Sequence, residues 1–264
     1  MFLNVIISLI GSSTIALFGW KFKAISPNGT IATIILGTIL GSSGNIATWS
    51  VIIFLFVSSF FIQLFKQIFF SSSITIEQLI HEKKGPRDAS QILANLLPAI
   101  ICLLLYQQTN QVAFLIAYLT SIAGATADTW GSEIGVLSRK QPFDILRLKR
   151  TTTGMSGGIS FLGTIASFLG SFGSIFTFYF FNLYLELPLA TPDFKLVLTL
   201  GFLATFFDSF LGSAFQRAYT TSNNNLTEQP GNNQLIKGFS WFGNDLVNLL
   251  TNSFSPIVAY LIMI

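Results

Sequence analysis

Ala125-Thr126-Ala127-Asp128-Thr129-Trp130-Gly131-Ser132-Glu133-Ile134-Gly135 closes an apolar run that begins near Gln111. Its two carboxylates follow about a dozen residues that read as membrane-buried. An acid at the bilayer centre costs roughly 2.5–3.5 kcal/mol on insertion scales, so a chain that keeps one there has a use for it.

The rest of the chain has the same character. Of its 264 residues 51% are hydrophobic, 28 are Phe and only 9% are charged. Mean hydropathy is +0.65. A soluble domain carries about 25% charged residues. The expected class is therefore all-α, a polytopic transmembrane bundle of about eight spans (six to eight possible) forming a single membrane domain over residues 1–264. The spacing places the spans at roughly 2–20, 29–46, 48–68, 91–106, 111–130, 157–181, 195–215 and 240–262, each near the roughly 20 residues a crossing needs. The fourth is short and the second rich in Gly and Thr. The first twenty residues lack a basic n-region and a small-residue cleavage site, so they read as a retained first span. Cys102 lies inside an apolar run and implies no disulfide framework.

The cations support this count. Lys21 and Lys23 follow span one; Lys66, Lys83, Lys84 and Arg87 follow span three; Arg139, Lys140, Arg147, Lys149 and Arg150 follow span five; Arg217 and Lys237 follow span seven. With eight spans these loops share one side, which the positive-inside rule makes cytoplasmic, with both termini outside. The basic balance therefore sets orientation and implies no nucleic acid. Segment 71–90 reads as an amphipathic interfacial helix carrying a solvated His81, ended by Gly85-Pro86, and 219–236 as a flexible polar loop.

Polar residues gather at the cytoplasmic ends of the spans. Arg87, Gln91 and Asn95 repeat every four residues and form one helical stripe; Asp208, Gly212 and Gln216 do the same, and Asp245, Asn248 and Asn252 share a face beside Asn244. Asp128 and Glu133 stand about 140° apart on an ideal helix and converge only if the helix ends near Gly131. Arg147, Lys149 and Arg150 precede Gly154, Gly157, Gly158 and Ser160, a glycine and hydroxyl run that reads as an anion-binding nest before span six. Four carboxylates packed together without a cation could not all ionise. Asp128, Glu133, Asp208 and Asp245 therefore point to a bound divalent metal, Mg²⁺ by the hardness of the oxygen ligands. Metal, cations, backbone amides and little covalent chemistry are the parts of phosphoryl transfer. No P-loop or protein-kinase signature is present.

The motifs ATADTWGSEIG, RDASQILAN, GMSGGIS, DSFLGSAFQ and NDLVN, in this order, resemble the integral membrane family called domain of unknown function 92. That family includes transmembrane protein 19 of animals and the plant and cyanobacterial phytyl-phosphate kinases. The resemblance runs from span one to the end of the chain. It departs at Met155-Ser156, where Thr-Asn or similar is expected, and at Leu96, where Gly often follows the LAN. It implies a kinase converting phytyl phosphate to the diphosphate, with CTP favoured, in tocopherol synthesis.

The motifs hold the expected metal-binding and catalytic positions Asp128, Glu133, Asp208 and Asp245, and the expected phosphate- and nucleotide-binding positions Arg87, Gln91, Asn95, Gly154, Gly157, Gly158, Ser160, Asn244 and Asn248; the basic loop adds Lys149 and Arg150 as phosphate clamps. The expected partners are the bilayer of a cell inner membrane or thylakoid-type membrane, a prenyl phosphate and a nucleotide. A rival reading is a transporter or lipid-handling protein whose acidic cluster relays protons or cations. A third, a scaffold, has the acids serving stability alone.

Overall fold

The computed structural model describes residues 2–70, 85–185, 187, 189–222 and 225–264. Among them are eight helices: α1 (Phe2–Lys21), α2 (Pro27–Ser43), α3 (Ile46–Phe69), α4 (Ala89–Thr109), α5 (Val112–Gly135), α6 (Phe161–Asn182), α7 (Thr191–Ala214) and α8 (Asn244–Met263). All but α2 are long and apolar enough to cross a membrane. At 17 residues, α2 spans about 26 Å, short of a hydrocarbon core about 30 Å thick. The fourth span, expected to be short, is a full-length helix. The segment expected to form an amphipathic helix, with His81, lies almost wholly outside the described residues.

Local chemistry sets most helix starts. Ser26 caps α2, its hydroxyl accepting from the Gly29 amide, with Pro27 at the first helical position. Asn45 and Thr48 form a reciprocal capping box on α3. Asp88 and Gln91 form another on α4, and Ser160 caps α6.

The fifth helix is the centre of the bundle. It packs against α3, α4, α6, α7 and α8 and buries nearly every residue from Leu115 to Ala127. Buried hydroxyls of Thr120 and Thr126 donate to carbonyls four residues back, so they need no external partner. Small residues let the helices approach. A Cβ on Gly163 would stand 2.9 Å from the Gly131 carbonyl oxygen. On the other flank Ser8 and Ser12 of α1 face Gly41 and Gly37 of α2, the small-residue packing characteristic of membrane helices.

Two small sheets accompany the helices of this all-α bundle. One has β1 (Phe143–Asp144) between β2 (Lys149–Arg150) and β3 (Gly158–Ile159); the other has β4 (Ala218–Thr220) between β5 (Leu226–Thr227) and β6 (Gln234–Lys237). The second falls within the segment expected to be a flexible loop. Both sit at the end of the bundle that carries the polar ends of α3 to α8. The described chain begins and ends at the opposite end.

Candidate functional site

A cavity of about 540 Å³ opens among the C-terminal ends of α3, α5 and α7, the N-terminal ends of α4, α6 and α8, and the glycine loop. Its charged lining comprises five carboxylates, Asp128, Glu133, Asp208, Glu228 and Asp245, against three cations, Lys23, Lys66 and Arg87. Gln91, Asn95, Gly154, Gly157, Gly158, Ser160, Asn244 and Asn248 also line it. Lys149 and Arg150 do not. They form the exposed strand β2, beyond β1 from the cavity-lining β3.

Helix α5 does not end at Gly131 as the convergence of its two acids was expected to require. It continues to Gly135, and Gly131 and Gly135 make the close contact with α6 instead. Asp128 and Glu133 accordingly serve two sectors of one cavity. Asp128 lies within electrostatic range of Asp208 on α7 and of Arg87. Glu133 turns to α3 and α4. Its Oε2 is 2.7 Å from the Lys66 ammonium, its Oε1 accepts from Gln63 at 2.9 Å, and Arg87 approaches Oε1 at 3.5 Å. Lys66 is almost completely buried, so this carboxylate and ammonium neutralise one another away from water.

Backbone pairing holds Arg87 in place. Its amide donates to the Ala24 carbonyl and its carbonyl accepts from the Ser26 amide, each at 3.0 Å. The Gln91 side-chain carbonyl accepts from the Asp88 amide at 3.0 Å, so part of the RDxxQ motif is a helix cap. Asn95 accepts from Asn252 at 3.1 Å across α4 and α8, and the Ser90 hydroxyl lies 2.7 Å from Asp245.

The glycine loop differs from an open anion nest. The Ser156 amide donates to Glu228 Oε1 at 2.8 Å, while the Met155 and Gly158 amides donate to Thr152 and Met155 carbonyls. The anion held by the Ser156 amide is thus the chain's own carboxylate. Gly157 has φ +88° and a Cβ there would meet the Ser213 backbone at 2.7 Å, so both conformation and space demand glycine.

The end of α7 fastens both sheets. Ser213 donates to Asp144 at 2.6 Å, and Gln216 donates to Glu228 at 3.0 Å. Asp144 also accepts from the amides of Leu146 and Arg147. Burial pushes its carboxyl up, but the Ser213 hydroxyl, these amides and the nearby Lys237 together hold it below its ordinary value. Burial beside Arg147 lowers the Lys237 ammonium, against the pull of Asp144 and Glu228.

The expected four-carboxylate metal cluster is not what the geometry assembles. Among the described residues no three carboxylate, histidine or cysteine side chains stand close enough to ligate one ion. Glu133 is engaged by Lys66, and Asp245 faces Ser90. Asp128 and Asp208, which influence one another electrostatically, are the residues that could hold Mg²⁺, an ion usually bound by one or two carboxylates with water and phosphate completing the shell. Among the described residues the lining carries more carboxylates than cations, which a divalent cation would offset if polyphosphate were to enter.

Lys66, Gln63 and Glu228 line the cavity without having been singled out from the sequence. Gln63, Lys66 and Gln67 are spaced i, i+3, i+4, a polar stripe at the end of α3 that the sequence does display. Glu228 sits in an irregular polar segment and carries no such signal.

Comparison with known proteins places this architecture. No solved structure matches the chain. It is 28% identical over 236 residues to an uncharacterized membrane protein of Methanocaldococcus jannaschii, covering 85% of this chain and 88% of that one. It is 26% identical to protein PGR of Arabidopsis thaliana, over 97% and 96% of the two chains. To protein VTE6, chloroplastic, of the same plant it is 24% identical, over 98% of this chain and 69% of the relative. The model of the integral membrane protein family DUF92 matches residues 10–255, and with nearly the whole bundle and cavity inside that match, the chain belongs to this family.

Proposed function

We propose that the protein is a membrane-embedded prenyl-phosphate kinase, with phytyl phosphate as acceptor and a nucleoside triphosphate, CTP by preference, as donor. The observation that carries this reading is the cavity itself. It is one-ended, lined by carboxylates and by Lys66 and Arg87, and bounded on the other side by the apolar, buried half of α5. A path for ions would place polar groups through the full depth of the bundle.

In the reaction an oxygen of the prenyl monophosphate attacks the γ-phosphorus of the donor. A new P–O bond forms, the bond from that phosphorus to the β,γ-bridging oxygen breaks, and the nucleoside diphosphate leaves with the bond's electron pair. The acceptor is already ionised near neutral pH, so no strong general base is needed. Arg87 lies where it would offset phosphate charge, with Glu133, paired to Lys66, orienting it. Asp128 and Asp208 would hold Mg²⁺, which when bound offsets charge on the phosphates. Glu228, itself in the cavity wall, keeps the glycine loop in place through the Ser156 amide. The positive-inside pattern puts this end of the bundle, with both sheets, toward the cytosol.

The test is direct. Purified protein in detergent or liposomes receives phytyl or geranylgeranyl monophosphate, Mg²⁺ and each of CTP, ATP, GTP and UTP, and mass spectrometry reads the diphosphate. Nucleotide-dependent product that disappears in folded Asp128→Ala and Asp208→Ala variants supports the kinase and names its donor. No product with any donor, from well-folded wild type, rejects the reading for these substrates and leaves the gradient-coupled transporter as its rival.

A further inference from the structure

Beside the polar cavity lies an apolar chamber of about 330 Å³ between α1 and α3, lined among others by Ile15, Phe18, Phe56, Val57, Phe60 and Phe61. Its hydroxyls do not make it polar. Thr14 donates to the Ile10 carbonyl and Ser59 to that of Leu55, each within its own helix. The chamber lies beside the face of α1 that packs elsewhere: Ser8 and Ser12 meet Gly41 and Gly37 of α2, and Gly19 meets Ile25. Helix α1 meets α3 through ring edges, Phe18 and Phe22 against Phe60 at 5.4 and 5.5 Å. Phe18, Val57 and Phe61 are exposed on the lipid-facing surface, so the cleft has a side that hydrocarbon can enter.

The chamber adjoins the polar cavity. Ala24, Gln63 and Arg87 line both. An apolar cleft open to lipid will fill with hydrocarbon of some kind. The join distinguishes this one, because it ends at a guanidinium and at the amide that holds Glu133. The two chambers therefore match a molecule with a single hydrocarbon chain and an anionic head, the chain in one and the head in the other.

We infer that the α1/α3 cleft is the hydrocarbon-chain subsite for a phosphate-headed, single-chain amphiphile whose head lies beside Arg87. The identification of that head as a substrate phosphate rests on the kinase reading; the subsite itself does not. Chain length is then read by α1 and α3, while the phosphates are handled by α3 to α8. Filling the cleft would discriminate against long chains and spare short ones.

Photolabelling tests this without turnover. A C20 prenyl phosphate carrying a diazirine at its far end is irradiated with the wild-type protein in nanodiscs, and labelled peptides are located by mass spectrometry. A second sample contains the same chain as the alcohol, and a third adds excess unlabelled geranylgeranyl phosphate. Label concentrated on α1 and α3 around Ile15, Phe18, Val57 and Phe60, displaced by the competitor and weak with the alcohol, is the expected result. Label on the lipid faces of α6 or α8, or equal labelling by the alcohol, overturns the subsite and shows ordinary annular lipid.

In an active preparation Val57→Trp should raise the half-saturating concentration of the C20 phosphate about tenfold, with a C5 prenyl phosphate unaffected. Equal effects on both overturn the assignment. Photolabelling with no kinase turnover would remove the kinase and leave the subsite; turnover with label elsewhere would do the reverse.

Discussion

The two ends of the bundle are held together by different chemistry. At the end away from the cavity two connections, 44–45 and 110–111, are tight, and their polar contacts are mostly local. Asn45 caps its own helix, Asn110 closes α4 in a left-handed conformation at φ 55°, and the Tyr118 hydroxyl reaches the Thr48 carbonyl. At the cavity end the polar partners lie far apart in sequence: Lys66 and Gln63 with Glu133, Asn95 with Asn252, Ser213 with Asp144, Ser156 with Glu228. Local caps can be satisfied by a helix alone. Long-range pairs exist only once the helices are docked, so the end with the cavity is also the end whose charges depend on assembly.

The sharpest separation of the two ends should come from activity. Asp208→Asn removes a carboxylate beside Asp128 and should lower phosphoryl transfer roughly a hundredfold or more, the scale of losing one preorganised electrostatic group. Size-exclusion behaviour should stay unchanged. Near-wild-type turnover would detach Asp208 from the chemistry.

Lys66→Met comes next. It leaves Glu133 largely buried without its nearest cation, and removing one partner of a buried pair costs about 3–5 kcal/mol. Residual support from Arg87 and Gln63 places the expectation at the lower end. The double variant Lys66→Met/Glu133→Gln should recover most of the loss in a thermal-unfolding cycle; strictly additive effects would mean that the pair contributes nothing to stability.

Asp144 gives a smaller effect with a definite sign. Its folded carboxyl is held below its ordinary value, so the stability it contributes is complete above about pH 4, the unfolded value. That stability is lost as pH falls through the depressed folded value. Asp144→Asn should be less stable than wild type at pH 7, and the gap should close on acidification. A gap that stays constant from pH 7 to pH 3 would show that the charge is not the stabilising feature.

The smallest change belongs to the far end. Asn45→Ala removes one cap and should cost about 1 kcal/mol of stability, with no change in turnover for any donor. A loss of activity there would break the division between the two ends.

Much of the cavity was legible in the sequence because helical spacing is a local property. Arg87, Gln91 and Asn95, or Asp245 and Asn248, fall on common faces in any helix built from those residues, and basic loops on one side fix which ends of the spans come together. What a polar residue touches is not local. Lys66 read as one of several charges following a span, yet it is buried against a carboxylate 67 positions away. Lys149 and Arg150 read as phosphate clamps, and a short strand turns them outward. Gln91 is a site residue and a cap at once, and the D-x-x-Q spacing at Asp88 held the second role in plain view.

The amino-acid sequence by itself determined a helical membrane bundle and the clustering of its acids at one end. Sustained hydrophobicity has nowhere to go but the bilayer, and the bilayer admits helices because every backbone amide must be satisfied within the segment. The tertiary structure alone decided that α5 passes straight through Gly131, that Glu228 occupies the Ser156 amide of the glycine loop, that Glu133 belongs to Lys66, and that a lipid-facing cleft borders the polar cavity at Arg87. Each of these depends on which helix faces which, and small-residue contacts such as Gly131 with Gly163 set that arrangement only when both helices are present.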